Sequence, residues 1–415
     1  MARKEAHKEP ATDDPRRPAT RVRASRLLAA VKDVIGAVAT KDTVPILQHV
    51  VIAAHDGLID LTATDLDMQA ERRCASDDRA APGSAEWIAS IAPFALAVPG
   101  KALVAVLSGF DPDALVTLAV EGSRLSIAAG RSRFRLSALA AADMPMLTRF
   151  DLGHEFEIGA GVLAEAIDGV VHAISTEEAR YYLNGIYVHP VDLVLRFVTT
   201  DGKRLAMVGV DAPDGAHAWP PMIVPRGIVG ELAKALAHAM KIEGAPMVVV
   251  RCDDAARLVS FELPAADGGE LTLTGKVIDG TFPDYLRVIP ISAPREATIG
   301  REALAEAVAR VAALANKESR LIRLDIGDDR IDLTAQHASL GDAREEVPAV
   351  HDGDDQAIGF DAKFLRDALG AFGADDVVMR WTDGAAPVRF EASGSNAQGV
   401  LPARLQVVMP MWVPG

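Results

Sequence analysis

The sequence predicts an α+β protein of three similar domains, each with two helices packed on antiparallel sheets. Three observations carry this. The chain has 415 residues, and single hydrophobic cores stop growing at roughly 250–300 residues, beyond which chains divide into domains. One plan, an amphipathic helix followed by alternating strands and a turn near Thr or Asp, occurs three times. Hairpin signals such as HDG and VEG lie between the alternating segments. They specify antiparallel pairing, which puts the helices on one face of the sheet.

The elements follow in order. The first twenty residues mix charges and prolines, Arg3, Lys4, Glu5, Pro10 and Asp13 among them, without an apolar run. Residues 1–20 therefore read as a disordered tail and not as a signal peptide. The repeats open with RLLAAVKDVIGAVA (Arg26–Ala39), VLAEAIDGVVHAIS (Val162–Ser175) and ALAEAVARVAALA (Ala303–Ala315), each with apolar residues at helical spacing. Leu28, Leu163 and Leu304 take one helix position, and Thr64, Thr200 and Gln336, equally spaced along the chain, take one turn. So long a period means duplicated domains, because solenoid repeats are shorter. A second helix follows in each repeat, at Lys101–Phe110, Arg226–Met240 and Ala362–Phe372. Each repeat closes on a proline-containing segment: DMPML, TFPDYLRVIP and VVMPMWV. The expected domains are 21–150, 151–291 and 292–415. The most apolar stretch, 90–107, is broken by Pro93, Pro99, Gly100 and Lys101, so no membrane span or membrane partner is expected.

The chain carries 43 Lys and Arg against 58 Asp and Glu, a net charge of −15. That disfavours a basic nucleic-acid coat, although an acidic exterior can enclose a basic lining. Two cysteines, Cys74 and Cys252, cannot build a disulfide framework or a zinc site, and a reduced, cytoplasmic setting is expected. No glycine-rich phosphate loop, H-E-x-x-H, paired C-x-x-C or G-x-S-x-G occurs. Acidic pairs such as Asp253–Asp254, Asp328–Asp329 and Asp375–Asp376 fall where strands turn, a position that favours Asp. Asp65 and Asp67 in TATDLDM are better placed for a metal. Asp201 and His337 hold the place of Asp65 in the other repeats, and a repeated metal site with changing ligands does not make sense. No catalytic residue, metal or cofactor is expected.

Eight strings, read together, carry a resemblance: KDTVPILQHVVI, LTATDLDM, GRSRFRLSALAAADMPML, RYYLNGIYV, TTDGKRLA, GTFPDYLRVIP, GFDAKFLRDAL and the terminal VVMPM. In this order, from about Arg21 to Val413, the chain resembles the sliding clamps of bacterial replication, the beta subunits of DNA polymerase III. The resemblance implies the DNA-clamp fold of three similar domains and a head-to-tail homodimer that closes as a ring around duplex DNA. It implies no chemistry in the chain itself. The polymerase, nucleotidyltransferase and exonuclease activities belong to the holoenzyme, which the clamp tethers by topology. Implied partners are duplex DNA without sequence preference, DNA polymerase, a clamp loader that uses ATP, and repair proteins bearing short linear motifs.

The resemblance also implies two sites. For DNA contact, Lys41 and Lys101 match basic family positions, and Arg180, Tyr181 and Tyr182 match a DNA-touching segment. Cations held loosely near phosphates let a ring slide. From the residues alone, without the resemblance, Tyr181 and Tyr182 read as strand core. For peptide binding, Leu183, Thr200, Gly202, Arg204, Leu205, Pro283, Arg287, Val288, Val407, Met409, Pro410 and Met411 match the lining of a pocket between the second and third domains. Such a pocket anchors a Leu and a Phe-like side chain, and methionine re-packs around differing partners. From its residues alone, 407–411 also reads as an ordinary last strand. Departures from the family pattern are Lys203 in place of a frequent His, Leu286 in place of a basic residue, and the ending Trp412-Val413-Pro414-Gly415. The second-domain helix is acidic (Glu165, Asp168, Glu177, Glu178) and the first is basic (Arg21, Arg23, Arg26, Lys32). A divergent paralogue for repair, a mobile element or drug resistance, and a monomeric peptide-binding scaffold, are the alternatives.

Overall fold

A computed structural model describes residues 19–40, 44–77, 93–147, 152–316, 318–394 and 401–413. Lys41 and residues 1–18 of the expected tail lie outside the described residues. Ala19 and Thr20 open the strand Ala19–Arg23, where Thr20 is buried. Two compact units form, Met1–Arg149 with Glu262–Gly275, and Phe150–Phe261 with Lys276–Gly415.

In the first unit, helices α1 (Ala24–Val34) and α2 (Gly100–Ser108) pack together. α1 buries Ala24, Leu27, Ala30, Val31 and Val34, a one-sided apolar stripe that needs a sheet beneath it. The leucine on that stripe is Leu27; Leu28 is only half-buried. The helix starts at Ala24 rather than Arg26, so Leu27, not Leu28, is the counterpart of Leu163 and Leu304. Ala19–Arg23 pairs antiparallel with Leu115–Glu121, followed in the sheet by Arg124–Ala129 and Ser132–Ser137. Phe94–Pro99, His49–His55, Leu58–Thr64 and Met68–Ala75 form a second antiparallel run. Along His49–His55 burial alternates residue by residue, the period-two signature of a strand with one face on the core.

The second unit holds two further repeats. α3 (Ala160–Val171) packs on α4 (Arg226–Ala239), and α5 (Arg301–Val311) on α6 (Ala362–Gly370). The strands Gly185–Val191, Val194–Thr200 and Arg204–Asp211 form an antiparallel meander. In the third repeat Asp376–Trp381, Val388–Ala392 and Arg404–Val408 do the same. The two meanders join. Arg204–Asp211 pairs with Arg404–Val408 in the register Arg204↔Val408 to Val208↔Arg404, and one 12-stranded sheet runs through both repeats. Residues 404–408 are thus an ordinary strand, as their composition allows, and also the seam between two repeats.

Cys74 and Cys252 are buried free thiols. Burial pushes them up, to about 11 and about 12, so neither is a reactive thiolate. Among the described residues no helix is long and apolar enough to cross a membrane. No group of three or more His, Cys, Asp or Glu is placed to hold a metal ion among them either.

Candidate functional site

The turn at Thr200–Arg204 is built from its own side chains. Thr200 Oγ1 donates to the carbonyl of Arg204 at 2.7 Å and accepts from Gly202 N at 3.1 Å. The Asp201 carboxylate accepts from Lys203 N at 2.9 Å and Arg204 N at 3.1 Å. Gly202 sits at φ +86°, a left-handed backbone that favours glycine, and a Cβ there would displace the Arg180 guanidinium. The first repeat reproduces the device. Thr64 Oγ1 donates to Met68 O at 2.8 Å, and Asp65 Oδ1 accepts from Asp67 N and Met68 N. Asp65 therefore shapes a turn, which accounts for its presence without a metal. In the third repeat the strand Arg330–His337 runs one residue past Gln336, and His337, in the place of Asp65, accepts from Ser339 N at Nδ1 at 3.3 Å.

Arg204 ties this turn to the third repeat. Its side chain is almost wholly buried, with Nε 2.9 Å from Asp201 Oδ2 and Nη1 2.7 Å from Asp367 Oδ2 on α6. Nη2 donates to the carbonyl of His172, and the guanidinium lies 4.4 Å from the centre of the Phe364 ring. Arg204 is structural here, where sequence placed it in the lining.

Leu183, Leu205 and Val407 share one buried cluster with Phe282, Tyr285 and Ile289. They form a floor rather than an open lining. Beside it the 3-10 turn Tyr285–Val288 buries Tyr285 and leaves the next three residues exposed, Leu286 at 42% and Val288 at 46%. Met409, 38% exposed, is held at the turn by its N–H, which donates to the Lys203 carbonyl at 2.9 Å. Pro283 is exposed as well, and Arg287 is exposed with its guanidinium drawn onto Asp284 at 2.9 Å. Leu286, noted from sequence only as a departure, adds to the exposed apolar surface.

Pro410 and Met411 are half-buried, and the chain here leaves the seam. Met411 N donates to Gly359 O at 2.8 Å. A Cβ on Gly359 would meet Val413, the Met411 carbonyl at 2.7 Å and Leu321 at 2.9 Å, so a glycine is what lets 411–413 lie on the strand Gln356–Asp361. Trp412 is 80% exposed. Trp412→Arg is expected to leave thermal stability within about 0.5 kcal/mol of wild type, as for a surface change that breaks no contact; calorimetry checks this.

Tyr181 and Tyr182 are not strand residues. They occupy a 3-10 segment, Glu178–Leu183, with Arg180 at φ −112°, ψ 50°. Tyr181 is 53% exposed and meets the half-buried Tyr182 edge to face, centroids 5.8 Å apart. The Arg180 guanidinium grips Glu177 through both carboxylate oxygens, at 2.8 and 2.7 Å, and donates to the Asp201 carbonyl at 3.0 Å. That hydrogen-bonded cation holds the Glu177 carboxyl below its usual range. Lys101 stands exposed on the first turn of α2.

Three repeated α+β domains, the last two fused through one sheet with an apolar patch on the seam, describe a clamp-type scaffold. Comparison with known proteins makes the family definite. The N-terminal, central and C-terminal domains of the DNA polymerase III beta subunit match residues 20–148, 157–284 and 286–411 in turn. The chain is 36% identical over 368 residues to the beta sliding clamp of Caulobacter vibrioides, covering 87% of this chain and 92% of that one. It is 32% identical over 391 residues to the beta sliding clamp of Escherichia coli K12, covering 92% and 99%. A solved sliding clamp from Bartonella birtlesii, bound to griselimycin, superposes with a TM-score of 0.85 at 32% identity, covering 96% of this chain and 100% of that one. The chain belongs to the DNA polymerase III beta subunit family, the bacterial beta sliding clamps. Its fold is the three-domain clamp fold, and a non-catalytic role as polymerase processivity factor follows; the paralogue and monomeric-scaffold alternatives are not favoured.

Proposed function

We propose that the chain works in the cytoplasm as a homodimeric ring that encircles duplex DNA and tethers DNA polymerase, clamp loader and repair proteins through a peptide-binding patch. The observation that carries the docking part is the seam of Arg204–Asp211 with Arg404–Val408, beside which Leu286, Val288 and Met409 stand exposed. A short peptide burying two or three apolar side chains there gains about 1.5–3 kcal/mol for each, before ordering costs. That gives a complex weak enough for partners to exchange.

DNA contact in this reading rests on Lys41, Lys101 and the tyrosine segment. Tyr181, the more exposed ring, is the one within reach of a phosphate backbone. Arg180 has its charge paired to Glu177, so it contributes less than an unpaired cation would. With a net charge of −15, direct affinity for DNA should be weak and steeply salt-dependent.

The test is retention on nicked circular DNA with a clamp loader and ATP, followed by linearisation. The protein should stay on the circle and leave the line, and Lys41→Glu with Lys101→Glu should lower the amount loaded. Equal retention on circle and line would reject encirclement.

A further inference from the structure

The exposed patch stands on a turn that is fixed from behind by an aromatic and polar stack. Tyr187 stacks on Phe282 at 4.7 Å and 5°, and on His189 at 4.6 Å and 26°. His189 meets Tyr285 edge to face at 5.8 Å. Tyr285 begins the turn whose other residues include Leu286 and Val288. Its hydroxyl is 3.1 Å from His189 Nε2 and 3.1 Å from Arg196 Nη1. His189 and Arg196 face each other across neighbouring strands.

One donor in this triad is fixed by its chemistry. Arginine can only donate, so the Tyr285 oxygen accepts from Arg196. In the neutral tautomer with its proton on Nδ1, His189 takes the hydroxyl proton of Tyr285 at Nε2. Protonating His189 would remove that acceptor and set a second cation beside the guanidinium. Burial, then Arg196, holds the imidazole below its ordinary 6.5. Of the other elements packed on the strand of His189, α4 carries Glu231, which is paired to Lys234 at 2.7 Å. The strand Met222–Pro225 is wholly apolar, His217 on the short turn Ala216–Ala218 faces the Asp192 carbonyl, and Arg287 is taken by Asp284.

Resting on the docking reading above, we propose that His189 and Arg196, acting through the Tyr285 hydroxyl, are positioning residues for the docking turn, and that the neutral imidazole is the form that holds it ready for a partner peptide. Protonation of His189 loosens Tyr285 and with it Leu286 and Val288. Partner affinity then falls in acid although no docking residue titrates.

The test is fluorescence anisotropy with full-length protein and a labelled peptide that carries a Leu and Phe pair and no histidine, from pH 8 to pH 5. Wild type should weaken about three- to tenfold as pH falls below 6.5, the worth of one hydrogen bond. His189→Phe keeps the stack and should bind with a flat pH profile. Tyr285→Phe should bind more weakly at pH 8, also with a flat profile. Circular dichroism shows whether each variant is folded. Wild-type binding with the same pH dependence in both variants overturns the proposal alone. No wild-type binding at any pH overturns the docking reading, and the proposal with it.

Discussion

Arg204→Met is expected to destabilise the second unit by about 3 kcal/mol, the lower end of the range for breaking a buried ion pair from one side. Methionine replaces the stem of the arginine but none of its donors. Asp201 loses its cation and keeps only the turn amides. Asp367 keeps Lys363 at 2.5 Å, which is why the upper end is not expected. The His172 carbonyl loses its guanidinium donor and Phe364 loses the cation over its ring. The urea midpoint, followed by the fluorescence of the buried Trp219 and Trp381, reads the change; a loss below about 1 kcal/mol would mean that Arg204 does not hold the seam.

The same substitution should alter the acid limb of stability. His172 is pushed down to about 4 by burial first and by the Arg204 cation second. A histidine so depressed is neutral in the fold while the unfolded chain takes up a proton near 6.5, so stability falls as pH drops from 6.5 towards 4. Burial alone would raise Asp367, but hydrogen bonds from Lys363 and Arg204 outweigh it and hold the carboxyl below 3.8. Its contribution is present above that value and is lost as pH falls further. Arg204→Met removes one cause from each group, so the variant should be less stable at pH 7 and lose less between pH 6.5 and 3 than wild type. Urea midpoints across that range test the sign.

The helices were legible in the sequence because their apolar stripes recur at helical spacing, but their starts were legible only where chemistry marks them. Asp361 caps α6 by accepting from Lys363 N and Phe364 N, and Pro225 precedes α4; both starts stand where the sequence puts them. Arg23, Gly159 and Gly300 cap α1, α3 and α5 with no side-chain bond, and these three helices begin two residues before the expected start. The Thr–Asp turns were legible because their bonds are local. The seam was not, since the pairing of Arg204 with Val408 is written in neither segment alone. For the same reason sequence placed Leu183, Leu205 and Val407 in a pocket lining without showing that long-range packing buries them in one cluster. Arg180 shows a different limit: the sequence sets Glu177 and Glu178 beside it but does not say which carboxylate the guanidinium takes.

Val288→Asp should weaken a Leu- and Phe-bearing peptide at least thirtyfold, about 2 kcal/mol, while leaving the fold intact. Val288 is half exposed on the 3-10 turn and lies outside the buried cluster, so an aspartate there is hydrated in the free protein. Docking an apolar side chain against it would strip that water and offer the carboxylate no partner. Met409→Ala removes contact area without adding a charge, and its expected cost is smaller, about 1–2 kcal/mol. Met411→Ala should cost least of the three, because the backbone of Met411 is moored to Gly359 on a third-domain strand, whereas that of Met409 is bonded to the Lys203 turn. Anisotropy titrations of the three variants give the order directly. A loss at Met411 equal to that at Met409 would extend the docking surface along the C-terminal segment past Pro410, and binding unchanged in Val288→Asp would remove the Tyr285–Val288 turn from it.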